Sequence, residues 1–306
     1  MATGGAIAAG RAPGESLVRS RGPWRQALGR FRRRPLGVAA LLVVLAFALV
    51  AALAPRLAPY PAARLFLEYL NSPQPPSHGH LLGTDLLGHD MLSQLLFAVR
   101  ETMLGALVCA AGATVIGVAI GAASGYAGGA VDNAIGWATG VVATVPALAL
   151  LVLVVIYFAP VAPIWQGITL MAYLWIGVAR VVRTSFLALK TREFVEAAHA
   201  AGAGGLRIVF RHLLPNTAGP VIVASTAVIG QSILVLATVD YFNLGAQQAD
   251  LPTLGGLVAN AAKGSTLTAT PWWLYAIPAV ALGLLLVSIN FAGDTLDDAL
   301  NPAGQR

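Results

Sequence analysis

The stretch NAIGWATGVVATVPALALLVLVVIYFAPVAPIWQGITLMAYLWIGVA (133–179) runs for 47 residues without an Asp, Glu, Lys or Arg. A helix needs about 20 mostly apolar residues to cross a hydrocarbon core of roughly 30 Å, so this run holds two crossings. Pro160 and Pro163 stand near its middle, where proline ends one helix and allows a turn before the next. Four other uncharged runs accompany it, 35–55, 102–131, 212–239 and 264–293, of 21, 30, 28 and 30 residues. The reading is an all-α membrane protein with six transmembrane helices.

The composition agrees with this count. Of 306 residues, 57% are hydrophobic and 10% charged, with a mean hydropathy of +0.75. A water-soluble domain draws about a quarter of its residues from Asp, Glu, Lys and Arg, so a soluble globular class is excluded. The lone cysteine, Cys109, excludes an intrachain disulfide framework and a cysteine-cluster metal site.

The net charge of +6 sorts by position. Eight arginines precede the first run and six basic residues lie between Arg180 and Arg211, fourteen of the nineteen in all. The positive-inside rule then puts both termini and the 180–211 loop in the cytoplasm. The charge is explained by topology, and no nucleic-acid partner is expected. The first run follows Arg30, Arg32, Arg33 and Arg34, the layout of a signal peptide as well. A signal's apolar region is usually about 7 to 15 residues; this one is longer, and Pro55 follows the candidate cleavage site Ala52-Leu53-Ala54. It reads as an uncleaved span. The expected organisation is a largely disordered basic tail (1–34), a first transmembrane helix (35–55), an external segment (56–98) and a five-helix domain (99–303).

Within the second run, Gly117, Gly121, Gly125 and Gly129 recur at every fourth position. That spacing lays them on one stripe of a helix, where a neighbouring backbone can approach closely. Span two is expected inside a bundle or against a partner subunit.

The cytoplasmic loop, about 184–216, is long for a connection between membrane helices, and such loops are commonly functional. Thr191 can cap a helix start, and Glu193 falls in the first turn, where the dipole favours negative charge. Phe194, Ala197, Ala198 and Ala201 supply an apolar face at helical spacing. Gly202, Gly204 and Gly205 end the helix, and Pro215-Asn216 mark the return into span five.

Here the residues resemble a known family. Glu196-Ala197-Ala198, then Gly202 after three residues, then Leu214-Pro215 after eleven more, are similar to the EAA motif of permease subunits of ATP-binding-cassette importers. The string EFVEAAHAAGAGGLRIVFRHLLPN (193–216) looks most like the dipeptide and oligopeptide branch, as do LLGTDLLGHDMLS (81–93) and GDTLDDALNP (293–302). The resemblance covers about Arg32 to Pro302. It implies that 193–202 is a coupling helix docking on an ATPase, with Glu193, Glu196, Ala197, Ala198, Ala201, Gly202, Leu214 and Pro215 as its motif residues. It also implies a second homologous permease, two ATPase subunits and an external substrate-binding protein as partners, with location in the cytoplasmic membrane.

The residue types suit docking. Small side chains allow close approach, a glutamate can make a charge-assisted contact, and Gly202 permits the turn that releases the chain. An amphipathic helix lying on lipid usually carries bulky Leu, Trp or Phe instead. The chain departs from the branch near the outer end of span five, ILVLATVDYFNLG (233–245), where Leu236 replaces a glutamate and Asp240 a serine. Asp240 and Tyr241 are therefore candidate pathway residues, set against an ordinary interfacial role.

Only two lysines occur, Lys190 after Leu189 and Lys263 after Ala262, so the chain holds no phosphate-binding loop ending in Gly-Lys. ATP and magnesium are expected on partner subunits, and no catalytic residue is assigned here. An ion-coupled secondary transporter is the rival reading. It usually needs acids within its spans, whereas Glu101, Asp132, Asp240 and Asp294 border the uncharged runs. A metal-binding permease is suggested by His78, His80, Asp85, His89 and Asp90, but their spacing matches no zinc motif, and no metal is expected. Peptides are the cargo the resemblance implies, with nickel or another small solute as the alternative.

Overall fold

A computed structural model describes residues 23–158, 162–242, 244, 251–262 and 271–300. Within them the chain is helical: α1 (Pro23–Arg32), α2 (Pro35–Leu57), α3 (Met91–Ala127), α4 (Gly129–Ala143), α5 (Ala147–Phe158), α6 (Pro163–Lys190), α7 (Glu193–Ala200), α8 (Gly205–Ile208), α9 (Leu214–Tyr241), α10 (Leu254–Ala262) and α11 (Trp272–Leu300). Five of these helical stretches are long and apolar enough to cross a membrane, α2, α3, α6, α8 through α9, and α11. Helices α4 and α5, which meet at 71°, are apolar enough to count as a sixth if the bent pair is taken as one span. That bend, at Thr144–Pro146, lies within the pair and is additional to the turn expected at Pro160 and Pro163, where α5 ends at Phe158 and α6 begins at Pro163. Pro146 supplies no amide and biases Val145 away from the helical region. Pro160 lies outside the described residues, and Pro163 is the first residue of α6.

The helix boundaries correct the sequence in several places. Residues 23–32 of the presumed tail form α1, while 1–22 lie outside the described residues. Helix α3 begins at Met91 rather than near 99, because Asp90 caps it: its carboxylate accepts from the Ser93 amide at 2.8 Å and the Ser93 hydroxyl at 2.7 Å. A search for uncharged runs stops at Arg100 and Glu101, but the helix continues through both. At 37 residues α3 extends about 55 Å, well beyond the hydrocarbon core.

Between α2 and α3 the chain folds on itself. Phe66 N–H donates to the Gly88 carbonyl and Asn71 N–H to that of Leu86, both at 2.9 Å. His80 Nδ1 lies 2.9 Å from Asp90 Oδ1, and His89 Nδ1 2.9 Å from Asp85 Oδ2. Four of the histidines and acids of this segment are thus drawn into two separate pairs. Among the described residues no three His, Cys, Asp or Glu side chains converge on one point.

The glycine stripe packs α3 on α6. A Cβ at Gly117 would stand 2.6 Å from Val178 Cβ, at Gly121 2.5 Å from the Ala179 carbonyl oxygen, and at Gly125 2.6 Å from Phe186 Cβ. In lipid no hydrophobic force drives two helices together, so this backbone approach and its dispersion contacts hold the pair. Gly129 is not part of the stripe. Helix α3 ends at Ala127, Gly128 and Gly129 have φ of +65° and +54°, and nothing lies within 4 Å of a Cβ at Gly129. Four-residue periodicity ran past a left-handed turn that only the backbone reveals.

Candidate functional site

The end of the bundle where α6 gives way to α7 gathers most of the residues that the sequence singled out. Thr191 closes α6 instead of capping α7; its amide donates to the Leu189 carbonyl. Arg192 is extended and starts α7, its carbonyl accepting from the Val195 and Glu196 amides at 2.9 and 3.2 Å. Glu193 and Glu196 occupy the first turn, where negative charge suits the helix dipole. At the other end Gly202 takes φ +78°. Its amide reaches the His199 carbonyl at 2.9 Å and the Ala203 amide that of Ala198 at 3.0 Å, a left-handed helix terminus. Gly204 and Gly205 belong to the start of α8.

The face of α7 turned inward differs from the expected one. Val195 is buried, in one apolar cluster with Phe186, Ile208 and Leu213, and Ala198 packs half-buried against it. Phe194, Ala197 and Ala201 are exposed, as are Glu193, Glu196, His199 and Gly202. Phe194 and Val195 are neighbours, about 100° apart around a helix, so periodicity alone leaves two faces to choose from. The direction in which Arg192 delivers the chain decides between them. The outcome is a short helix held from below by one valine, presenting alanines and carboxylates outward.

Helix α8 leads into α9 through a π-helical turn, Val209–Leu213, so this span begins about ten residues before Pro215. Pro215 offers no amide, and its ring would clash with the carbonyl four residues back. The wider turn relieves that clash: the Leu214 amide reaches back five residues to the Val209 carbonyl, and Asn216 Nδ2 donates to the His212 carbonyl at 2.6 Å. Leu214 packs half-buried against the same apolar cluster as Val195. The Leu-Pro pair of the motif thereby sits at the root of the loop.

Two side chains that sequence reasoning gave no role tie this end together. Arg183 on α6 grips Asp132 on α4 through Nε at 2.5 Å and Nη2 at 2.6 Å, a bidentate pair. The Ser124 hydroxyl of α3 donates to the same carboxylate. Close by, Lys190 Nζ donates to the Tyr126 carbonyl at 2.8 Å, and a Cβ at Gly205 would stand 2.7 Å from the Tyr126 hydroxyl. The α3–α4 junction is therefore joined to both ends of the loop. The sequence signal was a lone acid between two long uncharged runs and an arginine at the close of another.

Asp240 and Tyr241 lie at the opposite end of the bundle. Asp240 is buried in the last turn of α9, and Gln166 Nε2, in the first turn of α6, approaches its Oδ1 at 3.4 Å. Tyr241 is 43% exposed, with its ring against Phe242.

Comparison with known proteins gives a consistent set of likenesses. Residues 116–304 match the family model described as "Binding-protein-dependent transport system inner membrane component". Residues 22–76 match "N-terminal TM domain of oligopeptide transport permease C". The oligopeptide transport system permease protein OppC of Mycobacterium tuberculosis H37Rv is 34% identical over 277 residues, 90% of this chain and 93% of that protein. The dipeptide transport system permease protein DppC of Bacillus subtilis 168 is 31% identical over 292 residues, 95% and 88%. A chain from an inward-facing structure of the MetNI methionine ABC transporter superposes with a TM-score of 0.57 at 21% identity, over 69% of this chain and 98% of that one. That last likeness concerns the fold.

Proposed function

Because this chain belongs to the family of binding-protein-dependent transport system inner membrane components, we propose that it forms half of the pathway of an ATP-driven peptide importer and that α7 receives the work of ATP hydrolysis. The family consists of transport permease subunits and not ATPases, and the chain is a multi-pass membrane protein of a bacterial importer. The observation that carries the coupling reading is the build of α7. Val195 fastens it to the bundle, while Glu193, Glu196, Ala197 and Ala201 are exposed among the described residues. Small side chains on an exposed helix admit a partner's surface closely, and carboxylates at its first turn suit basic groups there.

In this reading both termini and α7 are cytoplasmic, a second homologous permease completes the pathway, and two ATPase subunits carry ATP and magnesium. An external binding protein delivers cargo. Peptides are the cargo class, on the strength of the oligopeptide and dipeptide permeases that the chain resembles. Closure of the ATPases moves α7 as a rigid body. Through Val195 and the Tyr126–Gly205 contact that displacement passes to α6, α8 and α9, and through Arg183–Asp132 to α4. Asp240 and Tyr241 belong to the outer end of the pathway.

The test is uptake into proteoliposomes holding the full assembly. Peptide accumulates only with ATP and binding protein present; accumulation by this chain alone under a proton or sodium gradient would establish a secondary carrier instead. Uptake of nickel but not peptide would move the cargo class. The Arg183–Asp132 link adds its own expectation. Asp132→Asn lowers uptake severalfold more than ATP hydrolysis, and the exchanged pair Asp132→Arg with Arg183→Asp recovers uptake. Equal losses of both activities, without recovery in the exchanged pair, would make the link a stability contact only.

A further inference from the structure

We propose that α1, the start of α2 and the C-terminal half of α11 form a built site for one anionic phospholipid. Helix α1 is amphipathic: Ala27 and Phe31, one turn apart, are buried, while Arg25, Arg32 and Arg33 are exposed. Alongside it opens a groove of about 410 Å³, whose lining includes Phe31, Leu41, Leu107, Ile229 and Leu296. Its one polar lining side chain, Thr226, is already satisfied by donating to the Ile222 carbonyl at 2.9 Å. Such a groove asks for a wholly apolar occupant, and at the depth of α2, α3, α9 and α11 the available one is an acyl chain.

The head of that occupant is fixed by charge. Arg25, Arg30, Arg32, Arg33 and Arg34 fall within ten residues on and just after α1, which lines the groove with Ala27, Leu28 and Phe31, and Asp294, Asp297 and Asp298 fall near the end of α11, which lines it with Ala292, Leu296 and Leu300. Arg34 is paired with Asp298, and among the described residues none of the other four arginines has an ion-pair partner within 4 Å. Arg30 lines an adjoining cavity of about 580 Å³ with Pro215, Asn216 and Asp297. A surplus of arginine over aspartate beside an apolar groove complements a phosphate headgroup carrying net negative charge. A zwitterionic lipid fills the groove as well but gains less from the arginines. Two features thus converge on one ligand class, the groove on the chain and the arginines on the head.

The inference rests on membrane embedding only, so it stands or falls apart from the coupling reading. The experiment is native mass spectrometry of the purified full assembly, equilibrated with phosphatidylglycerol and phosphatidylcholine of equal chain length. One phosphatidylglycerol is retained in preference. Arg32→Gln with Arg33→Gln reduces that preference about 25-fold, at roughly a fivefold attraction lost per basic residue. Ala292→Leu, which narrows the groove and leaves every arginine in place, removes the retained lipid of either kind. Equal retention of the two lipids in the unaltered assembly overturns the proposal. So does phosphatidylglycerol retention unaffected by Ala292→Leu, which signals surface attraction alone. Cross-linking of Leu41→Cys to the second permease does too, since the groove is then a subunit interface. The assembly mass in each spectrum separates these outcomes from a failure to fold.

Discussion

Glu196→Arg together with Ala197→Trp abolishes ATP-driven uptake while leaving the amount of protein in the membrane unchanged. Both positions are exposed on α7 and touch none of its anchoring contacts, so the bundle folds as before. Ala198 is the less informative target, since it packs half-buried against the cluster around Val195. The indole occupies the space into which a docking surface must come, and the charge reversal opposes a basic contact across it. Loss of a central interface residue costs about 2–4 kcal/mol, a factor of roughly 30 to 1,000 in affinity. Uptake and substrate-stimulated ATP hydrolysis in the reconstituted assembly fall together. If stimulated hydrolysis survived at its original rate, α7 would not be the coupling element.

Gly121→Leu has the next largest effect, and it acts on the bundle itself. The new Cβ would lie 2.5 Å from the Ala179 carbonyl oxygen and 2.8 Å from Val182 Cβ. The first of these is backbone, which cannot swing aside as the end of a long side chain can. Helices α3 and α6 must separate along their shared length, where Gly117 and Gly125 make equally close approaches. Overpacking of a well-filled interior costs about 1–3 kcal/mol, and a larger cost is expected here because three neighbouring contacts open at once. The purified assembly then unfolds at markedly lower temperature. Gly140→Ala is the control, since nothing lies within 4 Å of a Cβ there and its backbone is helical. An unaltered midpoint for Gly121→Leu would contradict the packing described for this seam.

Counting uncharged runs located the long apolar helices because a lipid-facing helix must be apolar along its length, and that property is written locally. It could not find where α3 begins, because Asp90 stops the chain by a side-chain cap and the helix then runs on through Arg100 and Glu101. Nor could it find the 71° break at Thr144–Pro146, because the proline there is uncharged and a count of charges passes over it. The stripe was expected inside a bundle or against a partner subunit; Gly117, Gly121 and Gly125 stand against α6, and Gly129 is off it because a left-handed turn keeps the sequence rhythm while breaking the helix.

The 184–216 loop was legible as a motif but not as a surface. Its acidic first turn and its glycine stop are local features, and both are seen. Which face turns inward depends on Phe186, Ile208 and Leu213, residues 9 to 18 positions away from Val195 and on other helices. For the same reason the lone acid and the arginine were visible in the sequence, but not the pairing of Arg183 with Asp132 across 51 residues.

The most direct test of the central claim is a cross-link from α7 to an ATPase subunit. Cys109 is fully buried, so a cysteine placed at Ala200, exposed on α7, is the accessible thiol among the described residues. In the full assembly a short bifunctional maleimide–photoreactive reagent on Ala200→Cys joins this chain to an ATPase subunit, and the yield changes when ATP is bound. A residue at 200 that forms no such product, and that a soluble maleimide labels as fast in the full assembly as in the permease pair alone, would contradict the account.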